Sequence, residues 1–313
     1  MIKKNDDLEV NISDIGYEGE GIAKIDGYTT FIKGGLKGEK VKIKMLKVNK
    51  NFGFAKLLEV LEKSDEREEP ICNAFGKCGG CNLQHINYEA QLDYKTSMVK
   101  NTLKKALGYD VDVEQTIGMG IPYNYRNKAQ YPVVDDKIGF FAGRTHALIE
   151  NEKCYIQNEI SDKLAKDAFK ILKKYNVSSY SEKNGKGCLR HIITRIGVHT
   201  GELMLILVTN EKNIKHKDEI VSELIKEYPT LKSIIQNINS KNTNVILGNK
   251  CTTLYGEGYI TDILGEYKFK ISPLSFYQVN PIQTEVLYNL AKEYANLQGT
   301  ETVFDLYSGI GTI

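Results

Sequence analysis

Hydrophobic and polar positions change period several times along the chain. Val41-Lys42-Ile43-Lys44-Met45 alternates strictly, which predicts a half-buried strand with lysines on its outer face. Glycines at 16, 19, 21, 27, 34, 35 and 38 punctuate the run before it, so short strands joined by tight turns, an OB-like barrel, are expected there. From Tyr88 to Leu107 the period becomes helical, with Leu92, Val99, Leu103 and Ala106 on one face and Gly108 placed to stop it. Residues 123–149 return to strands and turns. Gln130–Val134 reads as a strand kept at an edge by Pro132, Asp135-Asp136-Lys137 as its turn, and Ile138–Ala142 as its partner. Ile160, Leu164, Ala168, Ile171 and Leu172 mark a second helix. Ile192–Arg195 and Leu203–Val208 are strands joined by a turn at 198–202, and the whole predicts a mixed α+β domain. Asn280, Pro281 and Gln283 supply the N-cap, first position and third position of a further helix. Ile282, Val286, Leu290 and Tyr294 share its face, and Gly299 is expected to close it. Thr302–Tyr307 is expected as a buried strand that empties into Ser308-Gly309-Ile310-Gly311-Thr312.

At 313 residues the chain has room for two or three domains, and 41% hydrophobic with 26% charged residues is a globular composition. The N-terminus has no apolar signal core and no apolar run reaches the length of a bilayer, so cytoplasm is the expected compartment, with no membrane partner and a monomeric state. Net charge, +2, says little, but its distribution says more. Phe31 to Lys56 holds eight lysines and one acid, Glu39, whereas Leu57 to Glu69 holds six acids against Lys63 and Arg67. A boundary near residue 60 follows. A lysine-lined barrel face carrying Lys33, Lys37, Lys42 and Lys44 reads either as a phosphate-contacting surface or as a solvated strand face. Tyr28, Phe31, Phe52 and Phe54 are the aromatics nearby, and the pattern alone does not assemble them into a base-reading surface.

Cysteine spacing carries the most chemistry. Cys72, Cys78 and Cys81 form C-x5-C-x2-C, with Gly79 and Gly80 between the last two, and Cys154 follows far downstream. Disulfides need an oxidising compartment. Structural zinc usually takes two C-x2-4-C pairs, and only one pair is present, so the asymmetry favours an iron–sulfur cluster over zinc without excluding it. Cys188 and Cys251 are expected as small core residues. Gly309-Ile310-Gly311 after a strand is a weak sign of a nucleotide-type cofactor, an ordinary turn being the alternative.

Together these pieces resemble the class I uracil-C5 RNA methyltransferases, from about Asp14 to Ile313. Gly16-Tyr-Glu-Gly19-Glu-Gly21-Ile-Ala and Gly34-Gly-Leu-Lys-Gly38-Glu-Lys-Val41 resemble a TRAM domain. Cys72…Cys78-Gly-Gly-Cys81-Asn-Leu-Gln84-His85, with Tyr88, Gln91-Leu92 and Tyr94-Lys95, is similar to the cluster loop of the 23S ribosomal RNA branch. The resemblance implies a [4Fe–4S] cluster on Cys72, Cys78, Cys81 and Cys154. Ser275–Pro281 and Asp305–Thr312 look like the two S-adenosylmethionine motifs, which makes Gln278, Tyr307, Gly309 and Gly311 the implied cofactor contacts. Ser308 stands where many relatives have cysteine. The implied organisation is a TRAM barrel at 1–60, a central α+β domain with the cluster at 61–268, and the start of a Rossmann-like methyltransferase domain at 269–313. The helix at 89–107 is expected to pack on that last domain.

In this family a thiolate adds to uracil C6, C5 takes the methyl group, and a base removes the C5 proton. The resemblance places the nucleophile and base beyond Ile313, so the chain is expected to stop inside the cofactor loop and to be inactive by itself. A nonenzymatic RNA-binding module and a transfer-RNA methyltransferase remain alternatives. A radical enzyme that cleaves S-adenosylmethionine fits poorly, because such enzymes usually show C-x3-C-x2-C and leave one iron open.

Overall fold

The computed structural model describes residues 2–312. They form two compact units that divide between Gly120 and Ile121. Residues 61–120, assigned from sequence to a central domain, group in this division with the barrel.

In the first unit five strands close a barrel: β1 (Asp7–Ile15), β2 (Gly21–Ile25), β3 (Tyr28–Lys33), β4 (Lys40–Val48) and β5 (Phe52–Glu62), in spatial order β1-β2-β3-β5-β4. β3 and β5 run parallel, and the other pairs are antiparallel. Alternation sends Ile32, Val41, Ile43, Met45 and Ala55 into the barrel core and Lys42 and Lys44 outward, as the period-two pattern predicts. Gly53 is required at the crossing of β4 and β5, where a Cβ would stand 2.9 Å from the Lys47 carbonyl oxygen. Beyond the barrel, α1 (Tyr88–Leu107) starts at Asn87, whose side chain accepts the Ala90 N–H, and ends at Gly108 in the left-handed region. Its apolar stripe is thinly covered, with Val99 half exposed and Ala90 its one buried residue.

The second unit is built on a sheet in the order β13-β12-β11-β10-β6-β7. Its strands are β6 (Lys128–Val134), β7 (Lys137–Ile138), β10 (Leu189–Ile196), β11 (Leu203–Thr209), β12 (Leu231–Ile238) and β13 (Lys250–Gly256). β8 (Phe140–Phe141) and β9 (Leu148–Ile149) make a separate two-stranded ribbon. β6 is not the edge strand that Pro132 suggests, because the two-residue β7 pairs beyond it with Val133 and Val134. Asp135 and Asp136 both have positive φ, the geometry of a two-residue hairpin turn. The single partner strand expected over 138–142 is instead split between β7 and β8. Gly139 is the break, since a Cβ there would lie 2.2 Å from the Ile149 carbonyl oxygen.

Both faces of this sheet are covered, which explains the unbroken apolar run at 203–208. Leu203, Leu205 and Leu207 face α2 (Glu159–Lys174) and α3 (Lys217–Glu227). Met204, Ile206 and Val208 face the hairpin of β14 (Ile260–Leu264) and β15 (Tyr267–Ile271), together with Tyr277. α4 (Pro281–Ala295) begins as predicted, with the Asn280 side chain accepting the Gln283 N–H. Two expectations fail here. The helix ends at Asn296 in the left-handed region, three residues before Gly299. Thr302–Tyr307 forms no strand among the described residues and is exposed, Phe304 and Leu306 more than three-quarters so, because no neighbouring strand pairs with it.

Candidate nucleic-acid interface and cysteine loop

Strand register sorts the barrel lysines by neighbour. Lys42 on β4 stands between Glu9 of β1 and Glu59 of β5, with the Glu9 carboxylate paired to Lys40 at 3.7 Å. Lys44 pairs across with Lys56, which in turn pairs with Lys33, giving three lysines side by side over β4, β5 and β3. Asp7 takes Lys44 at 3.3 Å. Lys37 is exposed in the turn before β4. Lys56 was missed as a site residue from sequence, although the repeated Phe-x-Lys at 31–33 and 54–56 is a signal that could have found it.

A second cationic group lies in the second unit. Arg126, Lys128 and Arg195 stand near one another around the ends of β6 and β10. Burial pushes the Lys128 ammonium down to about 8, and the Arg195 and Arg126 charges add to the shift. Arg195 is itself buried, which brings its guanidinium down to about 10. The segment Ser275–Pro281 is tied to the same strands: Arg195 Nη2 donates to the Ser275 carbonyl at 2.6 Å, Asn127 Nδ2 to that of Gln278 at 2.9 Å, and the Asn127 N–H to that of Val279 at 2.9 Å. Like charges held together in a low-dielectric site repel, so an anion there is stabilised. Reading for charge runs missed this group, because its members are 2 and 67 residues apart in sequence.

Gln278 is therefore fixed through its backbone. Tyr307 is fully exposed with positive φ, and Gly309 and Gly311 also have positive φ. Ile310 between them packs against the core beneath the β14–β15 hairpin, so the glycine loop is anchored at its centre.

The cysteine loop follows β5 in the first unit. Cys72, Cys78 and Cys81 are half-buried. The Gly80 N–H donates to Cys78 Sγ at 3.3 Å and Gln84 Nε2 to Cys81 Sγ at 3.4 Å, bonds of the kind that tune cluster sulfurs. Burial raises the Cys78 thiol; the Gly80 N–H works against that and neighbouring Cys72 adds to it. Cys154 is buried in the second unit beside Tyr131, with its N–H directed at Asp162. Soft thiolates suit an iron–sulfur cluster, yet among the described residues no three His, Cys, Asp or Glu side chains gather as a metal site. Cys188 is a core residue as expected, but Cys251 is exposed on edge strand β13, a correction to the sequence reading.

Comparison with known proteins gives the barrel, and then the whole chain, a family. Residues 3–58 match the TRAM domain family. A protein of Clostridium acetobutylicum named as an uncharacterized RNA methyltransferase is 49% identical over 319 residues, covering all of this chain and 69% of its own length. Counterparts in Clostridium tetani and Halalkalibacterium halodurans are 48% and 46% identical, with the same coverage. Among solved structures, the Pyrococcus abyssi tRNA (uracil-54, C5)-methyltransferase, in complex with S-adenosyl-L-homocysteine, superposes with a TM-score of 0.75 at 25% identity over 97% of this chain and 68% of that one. The chain belongs to the same RNA methyltransferase family as these relatives. No helix among the described residues is long and apolar enough to cross a membrane.

Proposed function

We propose that the protein takes part in S-adenosylmethionine-dependent methylation of uracil C5 in RNA, with 23S ribosomal RNA as the substrate. The observation that carries it is the uncompensated group Arg126, Lys128 and Arg195 beside Ser275–Pro281. An RNA phosphate bound there relieves the repulsion and lies against the segment read as a cofactor motif. Gln278, Tyr307, Gly309 and Gly311 are the proposed cofactor contacts. The cysteine loop, through its family resemblance, favours ribosomal RNA, whereas the Pyrococcus abyssi neighbour, named for a transfer-RNA uracil and matched over 97% of this chain, favours transfer RNA, and the barrel does not discriminate between them.

The chemistry sets requirements. Uracil C5 attacks a methyl sulfonium only after a thiolate has added to C6, and a base must then take the C5 proton. Burial pushes Cys188 up to about 12, so it is a poor nucleophile at neutral pH. The family resemblance would put a [4Fe–4S] cluster on Cys72, Cys78, Cys81 and Cys154, with a holding role that enters no step of methyl transfer. Of the six cysteines, four are then taken as ligands, Cys188 is buried, and the Cys251 sulfur is held by Asn237 Nδ2 at 3.2 Å, so we expect these 313 residues alone to transfer no methyl group.

Labelled cofactor is the test. A protein extended to the length of its relatives should methylate unmodified 23S ribosomal RNA and leave transfer RNA unlabelled. The reverse preference moves the substrate to transfer RNA. Labelling of neither, with the cofactor shown to bind, defeats the activity.

A further inference from the structure

Parallel pairing of β3 with β5 places two Phe-x-Lys repeats in register. Phe31 stands opposite Phe54 and Lys33 opposite Lys56, while Thr29 stands opposite Phe52. On the other side of β5, Lys47 of β4 is opposite Phe54. The outer face of the barrel thus carries an aromatic row, Phe31–Phe54 ending at Lys47, and beside it the lysine row. Two residues along a strand separate the rows by about 6.7 Å, close to the reach from a nucleotide's phosphate to its base.

The three rings form one patch. Phe31 and Phe54 have centroids 5.6 Å apart and planes 30° apart, and Phe52 sets its edge against both at 6.0 and 5.7 Å. None of the three belongs to the barrel core, which Ile32, Ala55 and Met45 fill from the inner face. Phe52 is 39% exposed and the other two are half-buried. An apolar patch flanked by lysines on the same face is a poor match to a protein partner, because lysine is depleted at protein interfaces. It suits a flexible polyanion with exposed flat rings.

We infer that Phe31, Phe52 and Phe54 are a stacking platform for unpaired bases of single-stranded RNA, with Lys33, Lys56 and Lys47 holding the backbone that carries those bases. The inference deepens the assignment of RNA as partner and rests on it. Stacking on phenylalanine is blind to base identity, so the platform selects single strands over duplex and leaves sequence choice to other residues.

The test uses the 313-residue chain, a short labelled single-stranded RNA and the same strand in a duplex, with binding read by fluorescence anisotropy at several salt concentrations. Wild type should prefer the single strand. Phe31→Leu and Phe54→Leu, which keep apolar bulk, and Phe52→Ala should each weaken single-strand binding about five-fold or more at every salt concentration. Lys33→Gln and Lys56→Gln should instead flatten the salt dependence by about 0.7 in slope each. Melting temperatures verify folding, and Phe52→Ala, at the most exposed ring, keeps the test informative if an inner variant unfolds. Unchanged affinity in folded phenylalanine variants, while wild type still binds, overturns the platform and leaves RNA as the partner. Equal affinity for duplex and single strand overturns it as well. Absence of any binding by wild type defeats both.

Discussion

Arg67→Ala removes one half of a buried ion pair, and the surroundings bound the cost. The Glu39 side chain is fully buried and Arg67's is 16% exposed. The Glu39 carboxylate takes four donors: Arg67 Nε and Nη2, the Leu36 N–H at 2.9 Å and the Ser64 N–H at 3.5 Å. Arg67 Nη2 also donates to the Gly34 carbonyl at 2.6 Å, so one guanidinium joins the turn before β4 to the chain leaving the barrel. Deleting one partner of a buried pair costs about 3–5 kcal/mol, since the other charge is left uncompensated. Because Arg67 is not wholly buried, water can enter the vacated space, and about 3 kcal/mol is the better figure. That corresponds to a fall of roughly 10 °C or more in melting temperature for a unit of this size. The pH dependence is more diagnostic than the magnitude. In the wild type, burial raises the Glu39 pKa, but the Arg67 bonds and the Leu36 N–H lower it further, for a net depression. Its contribution is therefore complete above the usual carboxylate range and lost as pH falls through the depressed value. In Arg67→Ala burial acts without the guanidinium, so the folded pKa rises above the unfolded one. The penalty is then complete at neutral pH and fades as the solution is acidified through the raised value. Calorimetry of both proteins between neutral and mildly acidic pH should show the gap closing. Adding Glu39→Gln to the variant should recover much of the loss at neutral pH. A gap too small to resolve, or one independent of pH, would falsify the assignment of Glu39 as a buried carboxylate held by Arg67.

Lys128→Met should raise the melting temperature while weakening RNA binding, because it removes an ammonium that burial, Arg195 and Arg126 disfavour but that an anion needs. In the wild type, RNA affinity should fall as pH rises past about 8, where that ammonium is lost, and stability should rise over the same window; a flat profile for both speaks against the site. Gly256→Ala should destabilise the sheet by about 2 kcal/mol or more in chemical denaturation, since φ is +76° and a Cβ would meet the Lys232 carbonyl oxygen at 1.8 Å. Anaerobic purification with metal analysis should give brown protein with four irons per chain if Cys72, Cys78, Cys81 and Cys154 hold a [4Fe–4S] cluster; colourless protein holding one zinc removes that assignment.

What could be read from sequence depended on whether the cause was local. Caps and period were: Asn280 and Pro281 start α4, Gly108 ends α1, and the lysines of β4 face outward because a strand alternates whatever lies beside it. Failures came where a neighbour decides. Thr302-Val303-Phe304 reads like the start of a strand, but β11 has β10 and β12 to bond with, whereas 302–307 has no partner strand among the described residues and stays irregular and exposed. Gly139 divides a run that reads as one strand, because the Ile149 backbone comes within 2.2 Å of its missing Cβ, an approach set by a loop ten residues away. Cys251 lies in a strand as expected, and only the sheet order puts that strand at an edge, where the residue is exposed.

The candidate sites follow the same division. The count of lysines in the barrel was legible, but charge along a strand says nothing about what faces it on the next. Lys42 and Lys44 are equivalent in sequence, yet one sits between two glutamates and the other begins a row that continues through Lys56 to Lys33. That row exists only because β5 returns parallel to β3. In an antiparallel pairing, side chains that face each other follow opposite chain orders, so Phe31 and Phe54 could meet only by separating Lys33 from Lys56. Parallel pairing keeps both repeats together, phenylalanine to phenylalanine and lysine to lysine. The closed order β1-β2-β3-β5-β4 is therefore what turns two short motifs, 23 residues apart, into one surface with an aromatic side and a cationic side.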